Sequence, residues 1–446
     1  MMPSLVDRAK TAGVSLVRVA YCDNANLVRA KAVPLSALAS AVQYGIGFSV
    51  AQQALPMMYD TVLPASGLTP GGETWLVPDP STFTPLPYSP GTAIVLGDFQ
   101  TEDDQPWEHC PRSCLKRVVA QAAAEGIEVR AAFEPEFYLL RQTAAGGFEP
   151  VDQTNFAATS AFDLSNAVLL DLVETLTAMG LEVGMIHPES GPGQFEVSIH
   201  HAKPIGAADR HVLLREGVRG VAIRHGLAAS FAAKPFPERL GSGCHLHLSL
   251  WTNGRNLLYD GSDPLRLTAT GYAWIGGLLE HLQGLCALTI PSVNSYQRLR
   301  PHYWAGAYAC YGRNNREAAV RVITPRRGPE SMNMELKTVD GSANPYLALA
   351  GVIAAGLDGL RRHLHPGEPI DSDPGLLSDA DRTRRHITPV PGTLETALDA
   401  LARDTVLLDA LGVPLARSYM AVRRGEWDAL KDLPPAEQAL QHLLKY

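Results

Sequence analysis

The sequence predicts an α+β protein in two parts: a small, β-rich domain over residues 1–106 and a larger mixed domain over residues 107–446. Three observations carry this. The chain has 446 residues, and single hydrophobic cores stop growing beyond roughly 250–300 residues. Short β signals and turn residues crowd the chain before residue 101, whereas helical periodicity begins only after Pro111. Between them the polar run Thr101-Glu102-Asp103-Asp104-Gln105-Pro106 ends in proline and reads as a boundary.

In the first part, residues 17–20 and 27–33 read as strands flanking Asp23-Asn24-Ala25-Asn26, a hairpin. Further strands are expected at 74–77 and 92–97, among Pro64, Pro70, Pro78, Pro80, Pro85, Pro87 and Pro90. In the second part, Leu115, Val118, Val119 and Ala122 recur at helical spacing, and Gly126 stops that helix. Long helices fit 164–179, 208–225, 269–287 and 346–363, with short strands between them.

Composition narrows the function classes. The net charge of -8 leaves no electrostatic footprint for nucleic acid or an anionic membrane. From Met1-Met2-Pro3-Ser4 the chain reaches Asp7 and Arg8 without a long apolar run, so no signal peptide is expected. The most apolar stretch, 346–360, is short, contains Asp358 and reads as a buried helix, not a membrane span. Cys22, Cys110, Cys114, Cys244, Cys286 and Cys310 are scattered, as reduced thiols of a cytoplasmic protein would be.

Four segments alternate apolar and polar residues. Residues two apart on a strand share a face. In 129–139 that face carries Glu134 and Glu136; in 193–200, Gln194, Glu196 and Ser198; in 243–250, His245, His247 and Ser249; in 332–338, Asn333, Glu335 and Lys337. Each alone fits a solvated strand face. Together they collect carboxylates and imidazoles, which repel one another unless cations intervene. Such a donor set suits Mg²⁺ or Mn²⁺ better than zinc. A second group is basic: Arg298, Arg300, Arg313, Arg316 and Arg321 fall in a loop-like stretch with Asn294, Asn314 and Asn315. Guanidinium forks there suit phosphate and carboxylate, and metals with arginines point to phosphoryl transfer. The Gly-rich phosphate loop of P-loop proteins is missing, so a nucleotide would be held by metals and arginines.

Taken in order, these segments resemble the glutamine synthetase family over nearly the whole chain. The matches are Phe133-Glu134-Pro135-Glu136-Phe137, Gly193-Gln194-Phe195-Glu196, Gly241-Ser242-Gly243-Cys244-His245-Leu246-His247, Asn294-Ser295-Tyr296-Gln297-Arg298-Leu299, Asn315-Arg316 and Asn344-Pro345-Tyr346-Leu347. His365-Pro366-Gly367-Glu368-Pro369 and Pro391-Gly392-Thr393-Leu394 look like its bacterial type I branch. The resemblance implies a β-grasp N-terminal domain and a catalytic domain on a curved antiparallel sheet. It implies a homo-dodecamer of two stacked hexameric rings with sites at subunit interfaces. Glu136, Glu189 and Glu196 would hold one metal, and Glu134, His245 and Glu335 a second. His247 and Ser249 would lie near ATP, Gly241 and Arg298 would hold the amino acid, and Arg316 and Arg321 would face the transferred phosphate with His187 close by. The implied chemistry is phosphorylation of glutamate's γ-carboxylate, then attack by an amine.

The departures from the family narrow the amine. A glutamate that closes the family's ammonium site is replaced by Trp304, within Arg300-Pro301-His302-Tyr303-Trp304-Ala305. Ser49 replaces an aspartate that the neighbouring subunit supplies to that site, and Glu73 is a possible third acid. Losing carboxylates for an indole and a hydroxyl removes the charge that captures a small cation and adds apolar surface. An alkyl or aromatic amine is therefore expected. Lys337 stands where an arginine usually grips glutamate or phosphate, keeping the charge and losing the fork, and Leu240 replaces an asparagine. Residues 372–381 contain no tyrosine, so adenylylation control is not expected. Two readings compete with the glutamate–amine ligase: an ammonia-using glutamine synthetase, and a catalytically inactive structural or regulatory homologue.

Overall fold

The computed structural model describes residues 4–326 and 328–446. Met1-Met2-Pro3, where the signal-peptide reading begins, lie outside the described residues. A six-stranded mixed sheet comes first in the chain, within residues 16–100, and an eleven-stranded sheet follows within residues 128–389. The expected hairpin is present: Leu16–Cys22 pairs antiparallel with Val28–Pro34. Asp23 closes its turn by accepting the N–H of Ala25 at 3.0 Å and of Leu27 at 2.9 Å. Leu16–Cys22 also pairs in parallel with Thr92–Gln100, which pairs with Glu73–Pro78.

The large sheet runs in the order Thr388–Pro389, Tyr308–Arg313, Ala318–Ile323, Asn333–Leu336, Cys244–Thr252, Glu128–Gln142, Gln194–Ile199, Val183–Pro188. Neighbours along this path pair antiparallel except Tyr308–Arg313 with Ala318–Ile323, which pair in parallel. Alternation decides which face is covered. Phe133, Phe137, Phe195, Leu246, Leu248 and Leu250 are fully buried, and the helix Pro204–Arg224 packs against Glu128–Gln142. Their sequence neighbours of opposite parity carry the polar side chains to the other face. The α+β architecture is the one expected, and one continuous apolar core joins both sheets, from Leu5 to Tyr446.

Two local expectations are corrected. The helix expected over 269–287 is two helices, Ala269–Glu280 and Leu282–Thr289, broken at His281. The His281 imidazole reaches Asp404 (2.7 Å) and Asp358 (3.0 Å), anchoring the break. The arginine-rich stretch is not a loop throughout: Arg313 ends the strand Tyr308–Arg313 and Arg321 lies within Ala318–Ile323. No single helix among the described residues is long and apolar enough to cross a membrane.

Candidate active site

Register across six strands builds the site. Directly opposed pairs are His187 with Glu196, Glu196 with Glu136, Glu134 with His245, His247 with Glu335, and Glu335 with Arg321. Directly opposed side chains on one face lie within contact distance. A pattern set strand by strand thus becomes a continuous row of titratable groups.

That row forms one wall of a cavity of about 910 Å³. The cavity is lined by Glu134, Glu136, His187, Glu189, Glu196, Gly241, His245, His247, Arg298, Trp304, Arg316, Arg321, Glu335 and Lys337 among others. Two expected residues lie outside it. Ser249 lines an adjoining pocket that shares Glu134, His247 and Asn333 with the cavity, and its hydroxyl accepts the Trp251 indole N–H at 2.8 Å. Ser49 lies in the first sheet, with its hydroxyl donated to the Pro70 carbonyl at 3.2 Å. Arg313 also stays outside, donating to the Pro264 carbonyl at 3.4 Å.

Close packing at the base of the cavity requires two glycines. A Cβ on Gly241 would sit 2.4 Å from the Ala233 carbonyl, and one on Gly243 would sit 2.6 Å from an Arg298 nitrogen and 2.9 Å from Glu136. Only hydrogen at these positions lets Arg298 reach the carboxylate row. Gln194 ties the base together: its amide donates to Glu136 (3.0 Å), the Gly241 carbonyl (3.0 Å) and the Ser242 hydroxyl (3.1 Å).

Donor atoms of three groups converge within 4.8 Å of one another: Glu134–Glu196–His245, Glu134–His247–Glu335 and His187–Glu189–Glu196. They cut across the two expected sets, and Glu136 stands beside them rather than in one. Electrostatics fit cations here. Burial, then the charges of Glu136 and Glu196, push the Glu189 carboxyl up to about 8. Burial, with Glu134 and Glu136, pushes Glu196 up to about 7 against its bond to His187. The Glu196 hydrogen bond in turn lifts His187 to about 9. Burial opposes charge on Glu335 too, but Lys337, His245, His247 and Arg321 outweigh it and hold that carboxyl well below its usual range. Buried, mutually repelling carboxylates with one imidazole at hand are the oxygen-rich donor set of Mg²⁺ or Mn²⁺.

Lys337 departs from a simple anion grip. It is 3% exposed, and its ammonium spans Glu335 (3.2 Å) and His245 (3.2 Å) inside the row. Arg321 donates to the other Glu335 oxygen at 3.1 Å. Arg316 lines the cavity from the turn between two strands. The rim beside His187 is apolar. Trp304 and Phe156 are 52% and 49% exposed and meet edge to face at 6.2 Å, and Phe156 meets His187 in the same way at 6.4 Å. Met185 and Tyr303 extend this rim. Phe156 escapes a sequence reading because it sits in a loop with no periodicity.

The comparisons with known proteins agree with this geometry. The family model described as the glutamine synthetase N-terminal domain matches residues 2–107, and the catalytic-domain model matches residues 108–439. A gamma-glutamylpolyamine synthetase, GlnA3, of Streptomyces coelicolor is 40% identical over 97% of this chain and 94% of its own. A glutamine synthetase of Methanococcus maripaludis is 35% identical over 82% of this chain and 83% of its own. Among solved structures, a glutamine synthase homologue superposes with a TM-score of 0.86 at 34% identity, covering 97% of this chain and 99% of that one. A GmaS/ADP complex superposes with a TM-score of 0.86 at 32% identity, covering 97% of each chain. The chain belongs to the glutamine synthetase family and is an ATP-dependent ligase that forms carbon–nitrogen bonds.

Proposed function

We propose that this ligase joins the γ-carboxylate of glutamate to a primary amine larger than ammonia, alkyl or aromatic. The observation that carries the reading is the Trp304–Phe156 pair beside His187 and Glu189. A carboxylate at Trp304 would capture ammonium; an indole there offers a carbon-bearing amine apolar contact and a ring face for its charge. The Streptomyces relative named a gamma-glutamylpolyamine synthetase supports an amine acceptor beyond ammonia.

A γ-carboxylate oxygen of glutamate attacks the terminal phosphorus of ATP and ADP leaves. The amine, neutral after its ammonium form gives a proton to solvent, then attacks the acyl-phosphate carbon; the carbon–oxygen bond to phosphate breaks, inorganic phosphate departs and the nitrogen releases a second proton to solvent as the amide forms. Arg298 and the Gly241 backbone hold glutamate, and Lys337 keeps positive charge against it. Arg316 and Arg321 balance the charge of the moving phosphoryl group, with His187 nearby. His247 and Ser249 face the nucleotide from the adjoining pocket. Two or three Mg²⁺ or Mn²⁺ ions, held by Glu134, Glu136, Glu189, Glu196, His245 and Glu335, would neutralise phosphate charge and polarise the phosphoryl oxygens.

Ser49 lies away from the cavity of its own chain, so its part in the amine site requires a neighbouring subunit. We assign the chain the homo-dodecamer of two stacked hexameric rings that the family resemblance implies, in which a neighbour would supply Ser49. The six buried, unpaired cysteines suit a reducing compartment, and we place the protein in the cytoplasm. No nucleic acid or membrane partner enters this reading.

Relatives named glutamine synthetase favour the competing reading, ammonia as acceptor. Phosphate release with ATP, Mg²⁺ or Mn²⁺ and glutamate, screened over an amine panel that includes ammonia, separates the two. Highest kcat/KM with an alkyl or aryl amine is expected; highest kcat/KM with ammonia would sink the proposal.

A further inference from the structure

The rim loop that carries Trp304 takes an unfavourable backbone path. His302 has φ +69° and Trp304 has φ +56°, the left-handed region that L side chains avoid. Two such residues so close together persist only where their surroundings over-determine them. The surroundings here form a closed bracket. The Trp304 N–H donates to a carboxylate oxygen of Glu317 at 2.9 Å. Glu317 is buried, and its own N–H donates to the Asn315 side chain at 3.0 Å. The Asn315 amide donates to the carbonyls of Ile370 (2.7 Å) and Ser372 (2.9 Å). One residue on, Asp373 meets the His302 imidazole at 2.5 Å and returns to the same loop. Opposite, the loop that leads to Phe156 is anchored two residues earlier, at Thr154. Buried Asp152 accepts the N–H (2.9 Å) and hydroxyl (2.8 Å) of Thr154 and the N–H of Gly193 at 2.9 Å.

We infer that Glu317 is a positioning residue for amine selection: the bracket it forms with Asn315 and Asp373 holds the Trp304 indole against Phe156 and so fixes the width of the amine entrance. Glu317 does not itself line the cavity. Its effect passes through the backbone of Trp304, so it sets which amine is held and leaves the binding of ATP and glutamate alone. The inference rests on the proposed amine specificity.

The test is steady-state kinetics on the full chain with butylamine, benzylamine and ammonia as acceptors. Glu317→Ala is expected to raise KM for butylamine and benzylamine about tenfold, since loss of a packed apolar contact costs roughly 10–200-fold in discrimination. KM for ATP and glutamate should stay within about twofold, a split that general destabilisation would not give. Glu317→Gln, which keeps an acceptor oxygen for the Trp304 N–H, should restore most of the lost affinity. Asp373→Ala loosens the same loop from the solvent side and should shift amine KM in the same direction by about threefold; it also serves if Glu317→Ala fails to fold. Unchanged amine KM in the folded variants, or an equal rise in all three substrates' KM values, overturns the inference alone. Ammonia as the preferred acceptor of the unaltered protein overturns both it and the amine reading.

Discussion

Glu335 is countered from two sides, by Lys337 and Arg321. Removing it would delete a proposed metal ligand and strand the buried Lys337 and the half-buried Arg321. Glu335→Ala is therefore expected to cut phosphate release by about a hundredfold or more, with the protein still folded by circular dichroism. Retained turnover would break the metal assignment. Glu189 and Glu196 make a second prediction at this scale. Their carboxyls stand at about 8 and about 7, so near neutral pH they are partly protonated and a divalent ion must displace those protons. Titrating Mn²⁺ at pH 7 in buffers of different ionisation enthalpy should show proton release, and affinity should rise with pH until both carboxyls are ionised. Proton uptake, or affinity independent of pH from 6 to 8, would contradict it. Glu196 and Glu335 were legible in the sequence because carboxylates and imidazoles gathered on alternating strand faces are not what solvated faces carry, whereas Glu189, outside those segments, was marked only by the family resemblance. Phe156 was not legible, since one aromatic in an aperiodic loop signals nothing until the fold sets it against Trp304 and His187.

At the scale of elements, alternation identified the Glu134, Glu196, His245 and Glu335 strands but not their order. Glu134 meets His245 across more than a hundred residues of intervening chain, and nothing local encodes that pairing. The strand Val183–Pro188, which brings in His187, is short and contains Gly184, so only the family resemblance had marked that residue. The unforeseen break at His281 carries its own prediction. Burial opposes charge on His281, but hydrogen bonds to Asp404 and Asp358 outweigh it and raise its pKa, while the same contact lowers Asp358 against its burial. A raised histidine stabilises fully below its unfolded value of about 6.5 and loses that contribution as pH climbs through the folded value. The lowered Asp358 acts in the opposite sense: its contribution is present above about 3.9 and lost as pH falls through its folded value. Urea unfolding should show His281→Ala losing roughly 2 kcal/mol between about pH 4 and 6.5, with the gap to wild type shrinking above that window. A gap that widens above pH 7 would refute the charged bridge.

At the scale of the molecule, a buried cation adds to the apolar core that joins the two sheets. Arg112 bonds Asp79 and Asp98 from the first part of the chain at 2.8 Å each, and Asp209 of the helix Pro204–Arg224 at 2.9 Å. Tyr346, at the start of Pro345–Arg362, donates to that same Asp209 at 2.7 Å. Arg112→Met leaves Asp79 and Asp209 without their counter-ion, with only Lys116 still on Asp98, and should cost about 3–5 kcal/mol of unfolding free energy. A loss below about 1 kcal/mol would mean the apolar core alone joins the two parts. The sequence texture changes after Pro111; the arginine that links the first sheet to Asp209 left no such trace, because its partners are far apart in the chain.

The central claim is that an aromatic rim has replaced an ammonium-capturing carboxylate. Its most direct test is a competition at pH 7.5: the protein with ATP, Mg²⁺, glutamate and equal concentrations of ammonia and butylamine, with the products resolved by mass spectrometry. The account predicts γ-glutamylbutylamide in excess over glutamine, and an excess that shrinks in Trp304→Glu. Glutamine as the main product of the unaltered protein would contradict it.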